Sequence, residues 1–312
     1  MGRVGTKEIR VLVPATSANL GPGFDSFALA LDWHDQITVR ATGDGVRIDI
    51  DGQGAGSLPQ DERNQVVSAM REAFSRWGAG VVGLRVSCHN AVPQGRGLGS
   101  SAAAIVAGVS AARAMLVDGH DISDHEVLQL AARIEGHPDN VAACLFGGLT
   151  IAWMDRGTAR CTGLVPHAGL HPVVFVPDWS MPTREARELL PASVPHADAV
   201  HNSARAALLV AAMTERPDLL LAATEDRLHQ PFRAPAMPQT ARLVHALRQR
   251  HVPAAVSGSG PAVLAFCDRD DLAEIAGPEW GLRPVAVDLI GARVAGPRGL
   301  RREPEAGSRR RG

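Results

Sequence analysis

The residues best suited to chemistry lie in one short segment, Pro93–Ala104, which reads PQGRGLGSSAAA. Its three alternating glycines let the backbone adopt positive φ angles and come close to a ligand. Ser100 and Ser101 follow where small apolar residues begin a helix, whose first N–H groups have no partner inside the helix. These N–H groups and the positive end of the helix dipole favour an anion, so the segment predicts a loop that binds phosphate.

The loop differs from two common nucleotide-binding motifs. No Gly-Lys-Ser/Thr follows it, as a Walker A loop requires, and Ser100 stands where the dinucleotide-binding GxGxxG motif has its third glycine. On this segment alone, a tight structural turn before an alanine-rich helix is the alternative interpretation.

Two other segments accompany the loop: VLVPATSANLGPGFDSFALALDW at Val11–Trp33 and VSGSGPAVLAF at Val256–Phe266. Together with PQGRGLGSSAAA they resemble, in order and spacing, the three signature segments of the GHMP small-molecule kinases. Within that superfamily, EGHPDNVAACLFGG at Glu135–Gly148 and PTREARELLP at Pro182–Pro191 are most similar to the branch that phosphorylates homoserine. The resemblance covers all of the chain except its two ends.

The resemblance implies an α+β fold of two domains. The first, over residues 1–168, is an N-terminal α/β domain like ribosomal protein S5, which binds ATP. The second, over residues 169–295, is a ferredoxin-like C-terminal domain, and the active site is expected between the two. Residues 296–312, which read GPRGLRREPEAGSRRRG, have almost nothing apolar to bury and predict a disordered basic tail.

Hydrophobic patterning predicts the individual elements. We expect a hairpin turn at Gly43–Gly45, a helix buried at the centre of its domain after the glycine-rich loop, and a capping box at Ser123. Predicted strands lie at Arg10–Pro14, Phe27–Ala41, Val46–Ile50, Val82–His89, Gly148–Met154, Val173–Val176, Ala262–Cys267 and Arg283–Leu289. Predicted helices lie at Asn64–Trp77, Ala102–Met115, Asn202–Thr214, Pro238–Gln249 and Asp270–Ala276.

The resemblance also implies an activity: transfer of the γ-phosphoryl group of ATP to the hydroxyl of L-homoserine, giving O-phospho-L-homoserine for threonine biosynthesis. It implies that the glycine-rich loop binds the ATP phosphates and that Asn64 contacts the adenine base, while an N-cap role for Asn64 stays open. The implied ATP-binding residues are Asn64, Pro93, Gln94, Gly95, Arg96, Gly97, Leu98, Gly99, Ser100, Ser101, Ala102 and Ala103.

Phosphoryl transfer further needs a magnesium ion. Mg²⁺ is a hard cation that one or two protein oxygens can hold together with phosphates and water. The resemblance implies that Ser101 and Glu135 supply these oxygens. For Glu135, a solvated charge at a helix end is the alternative.

An amino-acid acceptor carries a carboxylate, an ammonium and a hydroxyl, so its site needs Arg or His for the first group and Asp or Asn for the second. The resemblance implies that Arg187 and Arg233 bind the carboxylate near His137, and that Asp25 and Asp139 bind the ammonium. The full implied acceptor set is Asn19, Asp25, His137, Asp139, Asn140, Arg187, Arg233, Gly258 and Gly260. Taken singly, each also has a structural explanation, such as a turn at Asn19.

The catalytic base is left open by the sequence. The resemblance places Asn140 where mevalonate kinase and galactokinase have an aspartate, and an amide does not accept a proton at neutral pH. Catalysis would then rest on positioning and electrostatics, with Asn140 orienting the hydroxyl. Asp139 is the alternative base.

The composition gives no sign of a nucleic-acid-binding or membrane protein. The 312-residue chain is 45% hydrophobic and has a net charge of −1, which gives no general attraction to nucleic acid or an anionic membrane. Four cysteines lack metal-ligand spacing, and no apolar run approaches the ~20 residues of a membrane span. We therefore expect a cytoplasmic enzyme, whose oligomeric state, a homodimer included, leaves no mark in the sequence.

Two other functions stay open at this point. One is a GHMP kinase for another small alcohol, such as a mevalonate-like or shikimate-like substrate, which would need no partner for an ammonium group. The other is a non-catalytic relative that binds a ligand and signals. Loss of the glycine-rich loop or of the magnesium carboxylate would favour the second, and both features are present.

Overall fold

The computed structural model describes residues 3–80, 83–296 and 299–301, and in these ranges the chain forms two β-sheets with helices packed against them. In chain order the strands are β1 (Ile9–Ala18), β2 (Phe27–Thr42), β3 (Val46–Gly52), β4 (Gly83–Asn90), β5 (Leu149–Asp155), β6 (Thr158–Leu164), β7 (Pro172–Pro177), β8 (Ala254–Val256), β9 (Val263–Phe266), β10 (Trp280–Pro284), β11 (Arg293–Gly296) and β12 (Gly299–Arg301). The helices are α1 (Gln65–Arg76), α2 (Ser100–Met115), α3 (Asp124–Glu135), α4 (Asp139–Phe146), α5 (Thr183–Glu188), α6 (His196–Thr214), α7 (Leu220–Ala223), α8 (Gln230–Arg233), α9 (Pro238–Gln249) and α10 (Leu272–Ala276).

Strand β2 organises the larger, eight-stranded sheet, because it pairs antiparallel with β1, β4 and β5. The strand order is β12-β11-β1-β2-β4-β3, and β6 pairs with β5 outside this path. The predicted hairpin turn at Gly43–Gly45 is wrong, because β4 lies between β2 and β3. Strands β3 and β4 are parallel, and α1 provides the crossover that a parallel pair needs. A non-local pairing therefore overrides the local turn signal.

The last described strands return to the larger sheet. β11 pairs with β1, where Val294 is opposite Val11, and β12 pairs with β11. The structure thus has strands at Arg293–Gly296 and at Gly299–Arg301, while the domain bounds 1–168 and 169–295 and the disordered tail over 296–312 stay predictions. These short segments become strands because the edge of β1 offers unpaired backbone groups, which composition alone does not reveal. Residues 302–312 lie outside the described part of the chain.

Helix α2 is the buried central helix that its small apolar residues predicted. It packs against α1, α3 and β1. Gly108 permits a close approach of α1, since a Cβ at this position would collide with the carbonyl oxygen of Val66. This packing fixes the N-terminus of α2, and with it Ser100 and Ser101, relative to the larger sheet.

The smaller sheet has the order β10-β7-β9-β8 and is antiparallel throughout. One face packs on α9 and α10 through side chains such as Phe175. The opposite face joins an apolar core shared with the larger sheet, in which Val174 and Leu264 meet the cluster of Leu29 and Leu31. The two sheets are thus joined by buried packing as well as by the connecting chain.

Most helix predictions hold, whereas several strand predictions do not. The Ser123 hydroxyl accepts the Glu126 N–H and the Glu126 carboxylate accepts the Ser123 N–H, so the capping box is confirmed. The predicted strand Arg283–Leu289 is wrong beyond Pro284, where β10 ends. Proline cannot donate to a sheet, which favours an end at this residue. Strands β6 and β8 were not predicted.

Candidate active site

The glycine-rich loop connects β4 to α2 and has the backbone that its sequence predicted. Gly95, Gly97 and Gly99 have φ angles of 63°, 75° and 68°, all in the left-handed region that glycine tolerates. Gly99 is the N-cap of α2, and Ser100 and Ser101 are the first helical residues. Because the N-cap residue has no side chain, the first N–H groups of α2 are left for a ligand.

The loop is held from the second half of the chain by the SGSGP segment. The Ser257 hydroxyl donates to the Gly97 carbonyl oxygen over 2.7 Å, and the Ala262 N–H donates to the Arg96 carbonyl oxygen over 3.1 Å. The Arg96 guanidinium donates to three backbone carbonyl oxygens, two of them at or just after the end of β7. Arg96 therefore anchors the loop and does not extend toward a phosphate.

A serine and a carboxylate meet at the N-terminus of α2. The Ser101 hydroxyl donates to Glu135 Oε2 over 2.6 Å, and Gln65 Nε2 donates to the Ser101 hydroxyl over 2.8 Å. The Glu135 side chain, at the end of α3, is 10% exposed. Burial raises the pKa of Glu135, although the Ser101 hydrogen bond and the charge of His137 act in the opposite direction. The hydroxyl and carboxylate oxygens are ligands that Mg²⁺ accepts.

Helix α4 begins with a buried polar group. Asp139 Oδ1 lies 2.7 Å from His137 Nδ1 and accepts the Asn140 N–H over 2.7 Å. Burial lowers the pKa of His137, but the hydrogen bond to Asp139 and the charges of Asp139 and Glu135 raise it above its ordinary value. Asn140 Oδ1 accepts the Thr16 hydroxyl over 2.8 Å. The Asn140 amide nitrogen has one long contact, 3.4 Å to Asp139, so this residue offers a donor rather than a base.

Arg187 and Asp25 carry opposite charges and form an ion pair in the cavity that the glycine-rich loop also lines. Arg187, on α5, donates to both carboxylate oxygens of Asp25, over 3.0 and 2.8 Å. This fork raises the pKa of Arg187. Both side chains are about one-third exposed (36% and 37%), so a ligand can reach them.

Arg233 is buried beside this pair and is oriented by a neutral group. Its Nη1 lies 3.0 Å from His229 Nδ1, and His229 Nε2 lies 2.8 Å from the Gly21 carbonyl oxygen. A carbonyl only accepts, so Nε2 carries the proton and Nδ1 accepts from Arg233. The Phe24 ring stacks on His229 and lies 5.5 Å from the Arg233 guanidinium. Burial and the charge of Arg187 lower the pKa of Arg233 to about 10, which keeps Arg233 charged at neutral pH.

Asn19 connects the loop that follows β1 to the SGSGP segment. Asn19 Nδ2 donates to the Gly258 carbonyl oxygen over 2.7 Å, and its Oδ1 accepts the Asp25 N–H over 3.0 Å. Asn19 and Asp25 adopt positive φ angles of 70° and 54°. Both polar groups of the Asn19 amide are thus used by the protein, which fits the structural explanation for this residue.

One cavity of about 220 Å³ brings most of the predicted site together. The predicted residues that line it are Asn19, Asp25, Gln94, Gly95, Gly97, Leu98, Gly99, Ser100, Ser101, Glu135, His137, Asp139, Asn140, Arg187, Arg233 and Gly258. Six others do not line it: Asn64, Pro93, Arg96, Ala102, Ala103 and Gly260. Ala102 and Ala103 are fully buried in the core, and Gly260 packs against Met237 behind the loop.

Four further residues line this cavity without having been predicted: Ala18, Gln65, Thr183 and Ser259. Thr183 and Ser259 occur inside the segments that carry the resemblance, and their hydroxyls lie 3.2 Å apart. Hydroxyl residues are common in turns, so sequence alone does not separate these two from turn formers.

A second cavity, of about 380 Å³, opens beside the phosphate loop and shares Gln65, Gln94 and Ser100 with the first. Its apolar lining consists of Val13, Ile37, Leu58, Pro59, Val66, Ala104 and Ile134. Asn64 lines it too, but its Oδ1 accepts the Val66 N–H and its Nδ2 donates to the Pro59 carbonyl oxygen. The structure thus shows Asn64 as the N-cap of α1, and a contact of Asn64 with a base stays a prediction.

Asp35 brings a carboxylate into this second cavity, and no sequence pattern singled it out. Its Oδ1 accepts the N–H groups of Ala91 and Val92, over 2.7 and 2.8 Å. Asp35 is 4% exposed, and burial raises its pKa against the effect of these hydrogen bonds.

Comparison with known proteins agrees with this architecture. The family model described as GHMP kinases N terminal domain matches residues 64–148, and the one described as GHMP kinases C terminal matches residues 204–280. The fold is that of a GHMP small-molecule kinase, and the chain belongs to this class.

Curated relatives define the family within that class. Homoserine kinases from Streptomyces avermitilis and Streptomyces coelicolor are each 52% identical over 290 residues, covering 92% of this chain and 95% and 94% of their own. The crystal structure of homoserine kinase from Cytophaga hutchinsonii superposes with a TM-score of 0.81 at 27% identity, over 93% of this chain and 98% of that one. The chain belongs to the homoserine kinase family, and it is an ATP-dependent kinase.

Proposed function

We propose that this enzyme transfers the γ-phosphoryl group of ATP to the hydroxyl of L-homoserine, giving O-phospho-L-homoserine. The observation that carries the proposal is the single cavity in which Asp25, Arg187 and Arg233 face the phosphate loop. An acceptor for this cavity should carry a negative and a positive group, as an amino acid does. The relatives at 52% identity, which are homoserine kinases, support the same assignment.

Arg233 and Arg187 bind the acceptor carboxylate in this proposal. A buried guanidinium is costly unless it is paired, and the nearest orienting group of Arg233 is the neutral His229. Arg233 thus keeps its charge available for an anion from the substrate.

Asp25 binds the ammonium group, and this contact sets the substrate class. A carboxylate-bearing alcohol without an amine, such as mevalonate or shikimate, would compete with Asp25 for Arg187 and would offer Asp25 no cation in return. Loss of such a charged contact costs several kcal/mol when the partner is desolvated. The Asp25 position therefore favours homoserine over these alternatives.

The nucleotide phosphates bind the N–H groups of the glycine-rich loop and of the first turn of α2. Ser101 and Glu135 would hold Mg²⁺ together with the phosphates, because their oxygens lie 2.6 Å apart beside this loop. When bound, Mg²⁺ neutralises charge on the phosphates during transfer. The purine base occupies the second cavity, whose apolar walls begin at the phosphate loop.

Asn140 positions the attacking hydroxyl through its amide nitrogen, while Thr16 fixes the amide oxygen. Asp139 joins Asp25 at the ammonium group, and its Oδ1 also holds His137 and the start of α4. With no side-chain base in this scheme, the hydroxyl proton passes directly or through water to the γ-phosphate, and rate enhancement comes from positioning and electrostatics.

We place the enzyme in the cytoplasm, with no nucleic-acid or membrane partner. The net charge is −1, and the four cysteines are free. In the described ranges, no helix has both the length and the apolar character needed to cross a bilayer.

A substrate panel tests the proposal. ADP release coupled to a dehydrogenase assay is measured with L-homoserine, mevalonate, shikimate and galactose at equal concentrations. We expect kcat/KM to be highest for L-homoserine, with O-phospho-L-homoserine identified by mass spectrometry. Preference for one of the other three alcohols would contradict the proposed function.

A further inference from the structure

Asp35 is a buried charged residue that the proposed chemistry does not use. One of its carboxylate oxygens, Oδ1, accepts the N–H groups of Ala91 and Val92 and so fixes the chain just before the phosphate loop. Among the described residues, nothing donates a hydrogen bond to Oδ2, and this atom is not sealed from solvent. One carboxylate oxygen is thus structural, the other is not used by a described donor, and the residue lines the second cavity.

The surroundings of Asp35 fit a purine. Apolar side chains line the cavity, among them Val13, Leu58 and Ile134. Two of the other polar lining residues are used by the protein: Asn64 caps α1, and Asn90 Nδ2 donates to a backbone carbonyl. Asp35 is the one carboxylate in the described lining, so it is the charged acceptor that a hydrogen-bond donor on the edge of a flat apolar ligand would meet.

We propose that Asp35 determines the base specificity of the enzyme, with Oδ2 accepting a hydrogen bond from the 6-amino group of adenine. This inference rests on the proposed function, because a nucleotide with its phosphates on the loop at Ser100 would place its base in the adjoining cavity. A base with an oxygen at position 6 would instead bring two acceptors together, and a buried acceptor without a donor is costly.

The first test uses the natural enzyme and three nucleotides that differ at one position of the purine. With L-homoserine as acceptor, kcat/KM is measured for ATP, for purine riboside triphosphate, which lacks the amino group, and for ITP, which carries an oxygen. We expect the order ATP, purine riboside triphosphate, ITP, with ATP at least about tenfold above ITP. Equal use of ATP and ITP would overturn the proposal.

The second test is Asp35→Asn. The amide oxygen of asparagine can still accept the Ala91 and Val92 N–H groups, whereas its amide nitrogen would present a donor to the cavity. We expect the ratio of kcat/KM for ATP to that for ITP to fall by at least about tenfold, because the amide donates to the ITP oxygen. Ser75→Ala, at an exposed position of α1 that does not line this cavity, is the control and should keep the natural ratio.

The outcomes separate this inference from the proposed function. Absence of homoserine phosphorylation with every nucleotide contradicts the proposed function itself. Phosphorylation with an unchanged ATP-to-ITP ratio in Asp35→Asn contradicts only the role of Asp35. If Asp35→Asn does not fold, as judged by circular dichroism, the nucleotide series on the natural enzyme decides.

Discussion

Arg187 and Arg233 bring positive charge to the acceptor cavity in two different ways. Arg187 is held by a fork on Asp25, on a part of the wall that a ligand can reach. Arg233 is buried and is oriented by the imidazole of His229, which is neutral and therefore does not neutralise the guanidinium charge. We therefore expect both to act on the acceptor and not on the nucleotide.

Replacing either arginine by leucine should raise the KM for homoserine far more than the KM for ATP. For Arg233, which is buried, the loss corresponds to about 2 to 5 kcal/mol, and it is smaller for Arg187, whose side chain is 36% exposed. Lysine should also impair binding, since a single ammonium does not reproduce the guanidinium fork. Steady-state kinetics with each substrate varied in turn measure the change in the KM for homoserine and in the KM for ATP.

Arg184→Leu provides the control for the arginine variants. Arg184 lies on the same helix as Arg187, but its side chain is 90% exposed and pairs with Glu188. An exposed pair of this kind contributes little, so both KM values should stay unchanged. Equal increases in the two KM values for Arg187→Leu would assign that residue a structural role.

Asn140 and Asp139 are neighbours with separate predicted effects. Asn140→Asp would place a carboxylate near the γ-phosphate, where repulsion in a site that excludes water outweighs the gain of a base. We expect this variant to lose activity, and we expect Asp139→Asn to lose mainly affinity for homoserine. The pH dependence of kcat is the measurement. An acidic limb in the natural enzyme that vanishes in Asp139→Asn would identify Asp139 as the base.

At the scale of elements, the junction between the phosphate loop and α2 depends on Gly99. Its φ of 68° is strained for other residues, and an added Cβ would collide with the Thr16 hydroxyl, which holds Asn140. Gly78 has the same φ of 68° at the end of α1, with no atom within 4 Å of an added Cβ. An alanine at Gly78 would add backbone strain alone, whereas an alanine at Gly99 would add the same strain and a collision with Thr16.

Gly99→Ala should reduce turnover by at least about a hundredfold, because it displaces the loop and Thr16 together. Gly78→Ala should cost only the strain of a left-handed backbone, about 1 kcal/mol of unfolding free energy, and leave turnover unchanged. Turnover assays and urea unfolding of both variants provide the comparison. Normal turnover in Gly99→Ala would mean that the loop tolerates this shift.

Elements with local signals could be predicted from the sequence, and elements set by distant pairing could not. The capping box at Ser123 and the N-cap role that the sequence left open for Asn64 are local signals, and both occur. The position of β4 between β2 and β3, and the return of β11 to β1, depend on residues far apart in the chain.

The same distinction applies to the site. The phosphate loop is contiguous, so its conformation could be predicted. Arg96 belongs to that loop, yet its guanidinium contacts carbonyl oxygens near the end of β7, which no local pattern encodes. Asp35 lies within a strand, and only the tertiary arrangement brings it to a cavity beside the loop.

At the scale of the whole molecule, Asp288 connects the segment that leads into β11 to strand β2 of the larger sheet. Its Oδ2 lies 2.5 Å from His34 Nε2 of β2, and its Oδ1 accepts the N–H groups of Ile290 and Gly291 over 2.7 Å each. Burial raises the pKa of Asp288, but these hydrogen bonds and the charge of Arg293 lower it to about 2.

The depressed pKa of Asp288 predicts a pH-dependent contribution to stability. The folded value lies below the ordinary value of 3.8, so the stabilisation is fully present above about pH 4 and is lost as the pH falls toward 2. Asp288→Asn should lower the free energy of unfolding at pH 7 by ~2 kcal/mol, with a difference from the natural enzyme that shrinks below pH 4. Urea unfolding of both proteins between pH 3 and 7 measures it, and a pH-independent difference would contradict this assignment.

The central claim is that the cavity between the two sheets recognises both charges of an amino-acid alcohol. The most direct measurement compares kcat/KM for L-homoserine with 4-hydroxybutanoate, which lacks the ammonium, and with homoserinol, which lacks the carboxylate. We predict that each analogue loses at least about a hundredfold, and that Asp25→Asn reduces the penalty only for 4-hydroxybutanoate. Phosphorylation of 4-hydroxybutanoate as efficient as that of L-homoserine would contradict the account.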